Sequence, residues 1–232
     1  MITIRRSDER GHFDHGWLDT RHTFSFAGYR DPAYMGFRSL RVINEDRVRP
    51  GAGFGAHGHD NMEIITYLVD GGLAHRDSAG HEAVIRPGDV QVMSAGSGIE
   101  HSEYNASPDD AAHLLQIWIR PDRRDVEPAY ADRTFAPSSG DEGLRLLASR
   151  GGRGDSLPLH QDADVYRALL AAGSDAELEL RDGRAAWVQV VAGELAVNGQ
   201  SLAAGDGAAI EGEPALHLAA RTDIEALLFD LA

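Results

Sequence analysis

The chain contains neither cysteine nor lysine. The first absence excludes disulfides, thiolate metal ligands and a cysteine nucleophile. The second excludes a lysine Schiff base or a lysine general base and leaves arginine as the strongly basic side chain. That uniform choice of arginine is assigned to genome base composition, since nothing at the arginine positions suggests a shared task. Basic residues are also few, 22 against 37 acidic ones, for a net charge of −15. Too little positive charge is present to neutralise phosphates, which argues against nucleic acid or an anionic membrane as a general partner. No stretch approaches the ~18 apolar residues of a membrane span, and the N-terminal Met1-Ile2-Thr3-Ile4-Arg5-Arg6 has no apolar run of signal length. The expected location is the cytoplasm.

What is present fits an all-β chain. With 42% hydrophobic and 25% charged residues over 232 positions, it can bury a sizeable core. Thr23 to Phe26 alternates as a strand with one buried face. Leu40 to Asn44, Met62 to Val69, Val90 to Met93 and His113 to Ile119 read as further strands, the second as a central one. Gly and Pro turns such as Asp70-Gly71-Gly72 and Arg86-Pro87-Gly88-Asp89 separate them. Short strands at intervals of roughly ten residues predict an antiparallel sandwich or barrel. Arg120 to Glu142, with Pro121, Pro128, Pro137 and Ser138-Ser139-Gly140, reads as a crossover between units. Strands resume beyond it, and a weak repeat appears: Val190 to Leu195 resembles Leu68 to Leu73, and Ala204-Gly205-Asp206-Gly207 resembles Pro87-Gly88-Asp89-Val90. Two copies of one barrel explain the length.

The chemistry-bearing stretch is His57-Gly58-His59, answered by His101-Ser102-Glu103. On an extended chain residues i and i+2 share a face, so His57 converges with His59 and His101 with Glu103. If both pairs enter one cavity, three imidazoles and a carboxylate surround a single point, a shell for a divalent first-row metal with two octahedral positions open. A bare His-x-His arises by chance in roughly two of five chains of this composition, so the setting beside Gly-rich turns carries the argument. Many ions suit such donors: Fe, Mn, Co, Ni, Cu or Zn.

Longer stretches are recognisable. Gly51 to Glu63 resembles the first cupin motif, and Gly98-Ile99-Glu100-His101 with Asn105 resembles the end of the second. More particular is the similarity to the pirin family, carried by His22 to Phe26, Met35-Gly36-Phe37-Arg38, Leu40 to Asp46, His57 to Tyr67, His75-Arg76-Asp77-Ser78 and Gly88 to Gly98. The C-terminal half, through Leu159 to Asp162, Trp187 to Val190 and Leu227 to Asp230, is similar to the bacterial quercetinase branch. Two turns depart from the pattern: Gly96 replaces a usual Pro, and Asp70 stands where the first motif ends in Gly. The resemblance implies a bicupin of two antiparallel jelly-roll barrels with few short helices. Residues 1–134 would carry one iron(II), held by His57, His59, His101 and Glu103. Residues 135–232 would form a degenerate barrel without a metal.

The resemblance also implies a quercetin 2,3-dioxygenase-like activity: O2-dependent opening of a flavonol ring. In it Glu103 would take the 3-hydroxyl proton. Glu63, a ligand in many other cupins, is expected to orient a ligand imidazole instead. Phe37, Phe54, Met93 and Ile117 are core candidates from which one or two walls of a substrate pocket would come. His22 and His113 are read as structural, His75 as a solvated or salt-linked strand residue, and Asp122 to Asp125 as a solvated charge run. Two other functions stay open: a non-enzymatic, redox-sensitive regulator with a protein partner, and a different metal-dependent reaction on a small carbonyl or sugar.

Overall fold

A computed structural model describes residues 1–135 and 143–232. Of the expected crossover, Pro137 and Ser138-Ser139-Gly140 lie outside the described residues. The chain divides into two compact units. One is Gly11–Ala136 with Leu157–Gln161; the other is Met1–Arg10, Pro137–Ser156 and Asp162–Ala232. The N-terminus therefore belongs with the C-terminal unit, where β1 (Ile2–Arg5) runs antiparallel to Gly207–Glu211.

The first unit holds β2 (Gly11–Asp14), β3 (Leu18–His22), β4 (Leu40–Val48), β5 (Gly53–His59), β6 (Glu63–Asp70), β7 (Leu73–Asp77), β8 (Glu82–Ile85), β9 (Asp89–Ser94), β10 (Ile99–Asn105), β11 (Ala112–Ile119) and β12 (Ala129–Thr134). They form a large sheet in the order β12-β9-β6-β11-β4-β3-β2 and a small one in the order β5-β10-β7-β8. The expected closed barrels are not found. Closure requires edge strands to hydrogen-bond to one another, and here the pairing stops at β12 and β2 in one sheet and at β5 and β8 in the other. The layers meet through side chains instead, as in a sandwich. Among the described residues the expected short α-helices are absent too. Among the described residues the only helical turn is the three-residue 3-10 segment Ser7–Glu9. Most connections are turns of a few residues, too short to nucleate an α-helix.

Interior packing follows the strand period. Leu18, Val48, Leu68, Leu73, Ile85 and Leu114 fill one end between the sheets, and Ile64, Met93, Ala95 and Ile99 cluster at another. Between Leu68 and Ile64 on β6 the same face carries Thr66, and on β11 Gln116 follows Leu114; both polar side chains are buried. A polar layer thus interrupts the apolar rows, and the site lies there.

Three local features differ from the sequence reading. Thr23 to Phe26 is not a strand, because Ser25 spends its hydroxyl on the backbone of Asp31, donating to Asp31 O at 2.9 Å and accepting from Asp31 N–H at 2.8 Å. Such side-chain bonds compete with a ladder. The strand expected over Leu40 to Asn44 runs on without a break to Val48. Ala129–Thr134, inside the expected crossover, pairs with β9 as an edge strand, and its exposed Asp132 and Arg133 protect that edge. Gly96, in place of the usual proline, has φ 48°, and a Cβ there would lie 2.1 Å from Val126 O.

In the second unit, Ile2–Arg5, Gly207–Glu211, Ala185–Ala192, Ile224–Leu231, Ala163–Leu170 and Gly143–Arg150 neighbour one another in that order. Asp175–Glu179, Ala215–Ala220, Glu194–Val197 and Gln200–Ala203 make its small sheet. This repeats the strand order of the first unit, so the weak repeat in sequence is a repeat of topology. Its interior is apolar, with Ala168, Val188, Leu195, Leu216, Leu218 and Leu228 all buried. His217 points outward, its Nδ1 2.8 Å from Glu177 Oε2.

Candidate metal centre

The centre is built on the β5–β10 pair. His57 lies opposite His101, but Glu103 lies opposite Phe54, so β5 spends one extra residue between them. Such a bulge re-aims side chains. Here it turns the Gly55 carbonyl toward His57, whose Nδ1–H donates to it at 2.7 Å. With Nδ1 protonated, Nε2 keeps its lone pair for a ligand. Close approach of the strands is possible because position 53 is glycine: a Cβ there would lie 2.3 Å from Glu103 O.

The imidazoles of His57, His59 and His101 converge, with one nitrogen of each within 4.8 Å of the others. Ring centroids are 4.5 Å apart for His57–His101 and 4.9 Å for His59–His101. His59 stands edge-on to Trp118, at 4.9 Å and 81°. His101 is 2% exposed, yet neither ring nitrogen has a hydrogen-bond partner. A buried imidazole with both nitrogens unpaired is costly unless something binds it. Burial, reinforced by the neighbouring imidazoles, pushes His101 down to about 3 and His59 down to about 4. Both rings therefore stay neutral and basic toward a cation rather than protonated.

Glu103 is buried beside His101 in a second tight set, His75, His101 and Glu103. Gln116 Nε2 donates to its Oε2 at 2.7 Å, and Thr66 Oγ1 and Gln91 Nε2 donate to Oε1 at 3.2 and 3.4 Å. Burial raises its pKa to about 7, opposed by these bonds and aided by the nearby charge of Asp46. His75 is differently placed. Its Nε2 lies 3.3 Å from Asp77 Oδ2 and its Nδ1 3.4 Å from Gln91 Nε2. Both nitrogens are engaged, whereas those of His101 are not. His75 is thus buried and hydrogen-bonded to Asp77 rather than solvated, and it stacks on Tyr130 at 4.8 Å.

These groups border a cavity of about 70 Å³ whose wall includes Phe26, Asn44, Asp46, Phe54, Ile64, Gln116 and Trp118 beside the imidazoles and Glu103. Of the four proposed pocket residues, Phe54 lies in this wall. Met93 and Ile117 are buried elsewhere in the large sheet, and Phe37 is half-buried where its backbone bridges to Leu40. Glu63 is turned away from the centre. Ser94 Oγ donates to its Oε1 at 2.7 Å and the His160 backbone N–H to its Oε2 at 3.2 Å. Ile64, the next residue, faces the cavity, so strand alternation puts Glu63 on the other side. Thr66, Gln91, Gln116, Asn44 and Asp46 neighbour the centre although they belong to no motif read from the sequence. Their signal was available: polar residues at inward positions of otherwise apolar strands.

The cluster is a metal-binding site. Its donors are imidazole nitrogens and carboxylate oxygen, a set suited to a divalent transition ion, and the unpaired His101 nitrogens give such an ion a place. Among the described residues no helix is long and apolar enough to cross a membrane.

Comparison with known proteins agrees with this geometry. Residues 3–119 match the Pirin family and residues 146–231 the quercetinase C-terminal cupin domain. The chain is 46% identical over 231 residues to quercetin 2,3-dioxygenase of Escherichia coli (strain K12), covering 100% of this chain and 99% of that protein. It is 41% identical over 235 residues to a pirin-like protein of Caulobacter vibrioides, covering 100% of both. Among solved structures, YhhW from Escherichia coli superposes with a TM-score of 0.97 at 45% identity, covering 100% of this chain and 98% of that one. The nickel(II) complex of the bacterial pirin YhhW gives 0.95 at 45% identity, covering 100% and 99%.

Proposed function

The chain belongs to the pirin family, and on that premise we propose that it is a metal-dependent oxygenase that opens the ring of a flavonol with O2, as a quercetin 2,3-dioxygenase does. The observation that carries this reading is His101, buried with two unpaired nitrogens between His57 and His59. We assign His57, His59, His101 and Glu103 as the ligands of one divalent transition ion, which mixed nitrogen and oxygen donors without thiolate suit, and we take iron(II) as that ion from the family resemblance. When bound, the ion supplies Lewis acidity and a template for substrate oxygens.

The protein's own groups do the rest. The bond from His57 Nδ1 to Gly55 fixes the ring so that Nε2 faces the centre. Gln116 and Thr66 hold the Glu103 carboxylate in place. A carboxylate within reach of the substrate hydroxyl can act as its general base. Glu103 thus accepts the 3-hydroxyl proton at a carboxylate oxygen and leaves the electron-rich flavonolate that O2 attacks. Phe26, Phe54, Ile64 and Trp118 exclude water and give a flat ring apolar walls.

The test is oxygen consumption with quercetin by protein loaded with iron(II), in parallel with metal-stripped protein and His101→Ala. Metal-dependent oxygen uptake with loss of the flavonol absorbance, abolished in the variant, is expected. Equal uptake by stripped and loaded protein would refute the assignment.

A further inference from the structure

The metal cluster occupies the small sheet. Across the cavity, on the large sheet, stands a second set of polar groups with no assigned task. Asn44 and Asp46 are two apart on β4 and both line the cavity. They are 4% and 3% exposed, and Oδ1 of each has no hydrogen-bond partner. The Thr20 hydroxyl binds the Asp46 carboxyl but leaves that oxygen unused. On the adjacent β11, Trp118 also lines the cavity, and its buried Nε1 has no partner either. Stability alone does not call for these residues. In the second unit the strand Ala163–Leu170 takes the place of β4, and its Ala168 and Leu170 sit in an apolar core. Buried polar atoms left unpaired destabilise the protein alone and favour a ligand that pairs them.

The ligand's chemistry follows from the donors and acceptors. Asp46 and the Asn44 carbonyl accept hydrogen bonds, so they call for hydroxyl groups; Trp118 Nε1–H donates, so it calls for an oxygen acceptor. Phe26, Phe54 and Ile64 supply the apolar part of the wall, which suits a flat aromatic body. With about 70 Å³ of space, well below the ~300 Å³ at which drug-sized pockets begin, the cavity takes the hydroxyl-bearing edge of such a ring. We propose that Asn44, Asp46 and Trp118 form a hydroxyl-reading subsite opposite the metal, which selects polyhydroxylated flavonols over those lacking ring hydroxyls. This rests on the flavonol reading above.

The experiment is anaerobic isothermal titration of iron(II)-loaded protein with quercetin and with 3-hydroxyflavone, which keeps the 3-hydroxyl and 4-carbonyl but no other hydroxyl. Wild type, Asp46→Leu and Asn44→Leu are compared at equal metal content; leucine is close in shape to both side chains and removes their acceptor oxygens, and either variant serves should the other fold poorly. Wild type is expected to bind quercetin at least about tenfold tighter than 3-hydroxyflavone, since sites built to pair hydroxyls reject analogues lacking them. Each variant is expected to lose most of that ratio through weaker quercetin binding. Equal affinities in wild type, or a ratio unchanged in both variants, overturns the subsite. Turnover in air on the same samples separates the two readings. Selective binding without turnover leaves the subsite standing and refutes the oxygenase; turnover without selectivity does the reverse; binding of neither flavonol overturns both.

Discussion

Gln116 on β11 donates its side-chain amide to Oε2 of Glu103 on β10 over 2.7 Å, joining the two sheets at the metal centre. The bond aims the carboxylate and favours its charged form, as the partners of metal ligands commonly do. In Gln116→Met, similar in size, the carboxylate loses its shortest partner and its pKa rises further. Metal affinity is expected to drop about 10- to 100-fold with the β-sheet circular dichroism unchanged. Competition with a chromophoric chelator measures it, and an unchanged affinity would show that the bond has no part in binding.

Gly53 sits where β5 comes nearest to β10. A methyl group would lie 2.3 Å from Glu103 O and 2.5 Å from Tyr104 Cα, both backbone atoms that cannot swing aside. Gly53→Ala must push the strands apart, at a cost of roughly 1–3 kcal/mol, or a fall in Tm of about 2–12 °C for a chain of this size. Because β5 carries His57 and His59, metal occupancy should fall as well. Thermal melts of chelator-treated protein read the first effect and elemental analysis the second.

The division between what sequence revealed and what it hid is physical. Strand alternation is local, so the convergence of His57 with His59, and of His101 with Glu103 on a single face, followed from spacing alone. Central strands such as β6 announced themselves through β-branched and apolar residues. Barrel closure, by contrast, depends on whether distant edges meet, and no run of residues encodes that. The side chains that grip Glu103 come from three strands far apart in the chain. Thr66, Gln91 and Gln116 each resemble an ordinary strand residue until the fold places them together. Thr23 to Phe26 misled because its alternation was genuine while the Ser25 hydroxyl captured the local backbone.

Glu63 offers a contrast with Glu103. It lies on the opposite face of β6 from the cavity and holds the Ser94 hydroxyl and the His160 backbone. Glu63→Gln keeps one acceptor oxygen but sets an NH2 group against one of those donors. We expect a loss of about 1–3 kcal/mol for the unsatisfied buried group, read by urea unfolding, with metal content equal to wild type. A variant that keeps its stability but loses metal would return Glu63 to the metal centre.

In metal-free protein, His101 and Glu103 depart from their ordinary pKa values in opposite directions, so their effects on stability carry opposite signs. Burial lowers His101 from 6.5 to about 3. Between those values the unfolded chain binds a proton that the folded chain refuses, so stability falls as pH falls through this window. Burial raises Glu103 from 4.5 to about 7. There the folded chain holds the extra proton, so its contribution is present at low pH and is lost as pH rises toward 7. The unfolding free energy of wild type minus that of His101→Asn should therefore increase with pH between about 3 and 6.5. Wild type minus Glu103→Gln should decrease between about 4.5 and 7. Each slope is bounded by about 1.4 kcal/mol per pH unit, the limit for one proton. Urea titrations in chelator at pH 4.5, 5.5 and 6.5 suffice, those pH values being choices of about one unit apart within both windows. Parallel slopes of the same sign would mean that the two side chains do not share one buried, water-poor environment.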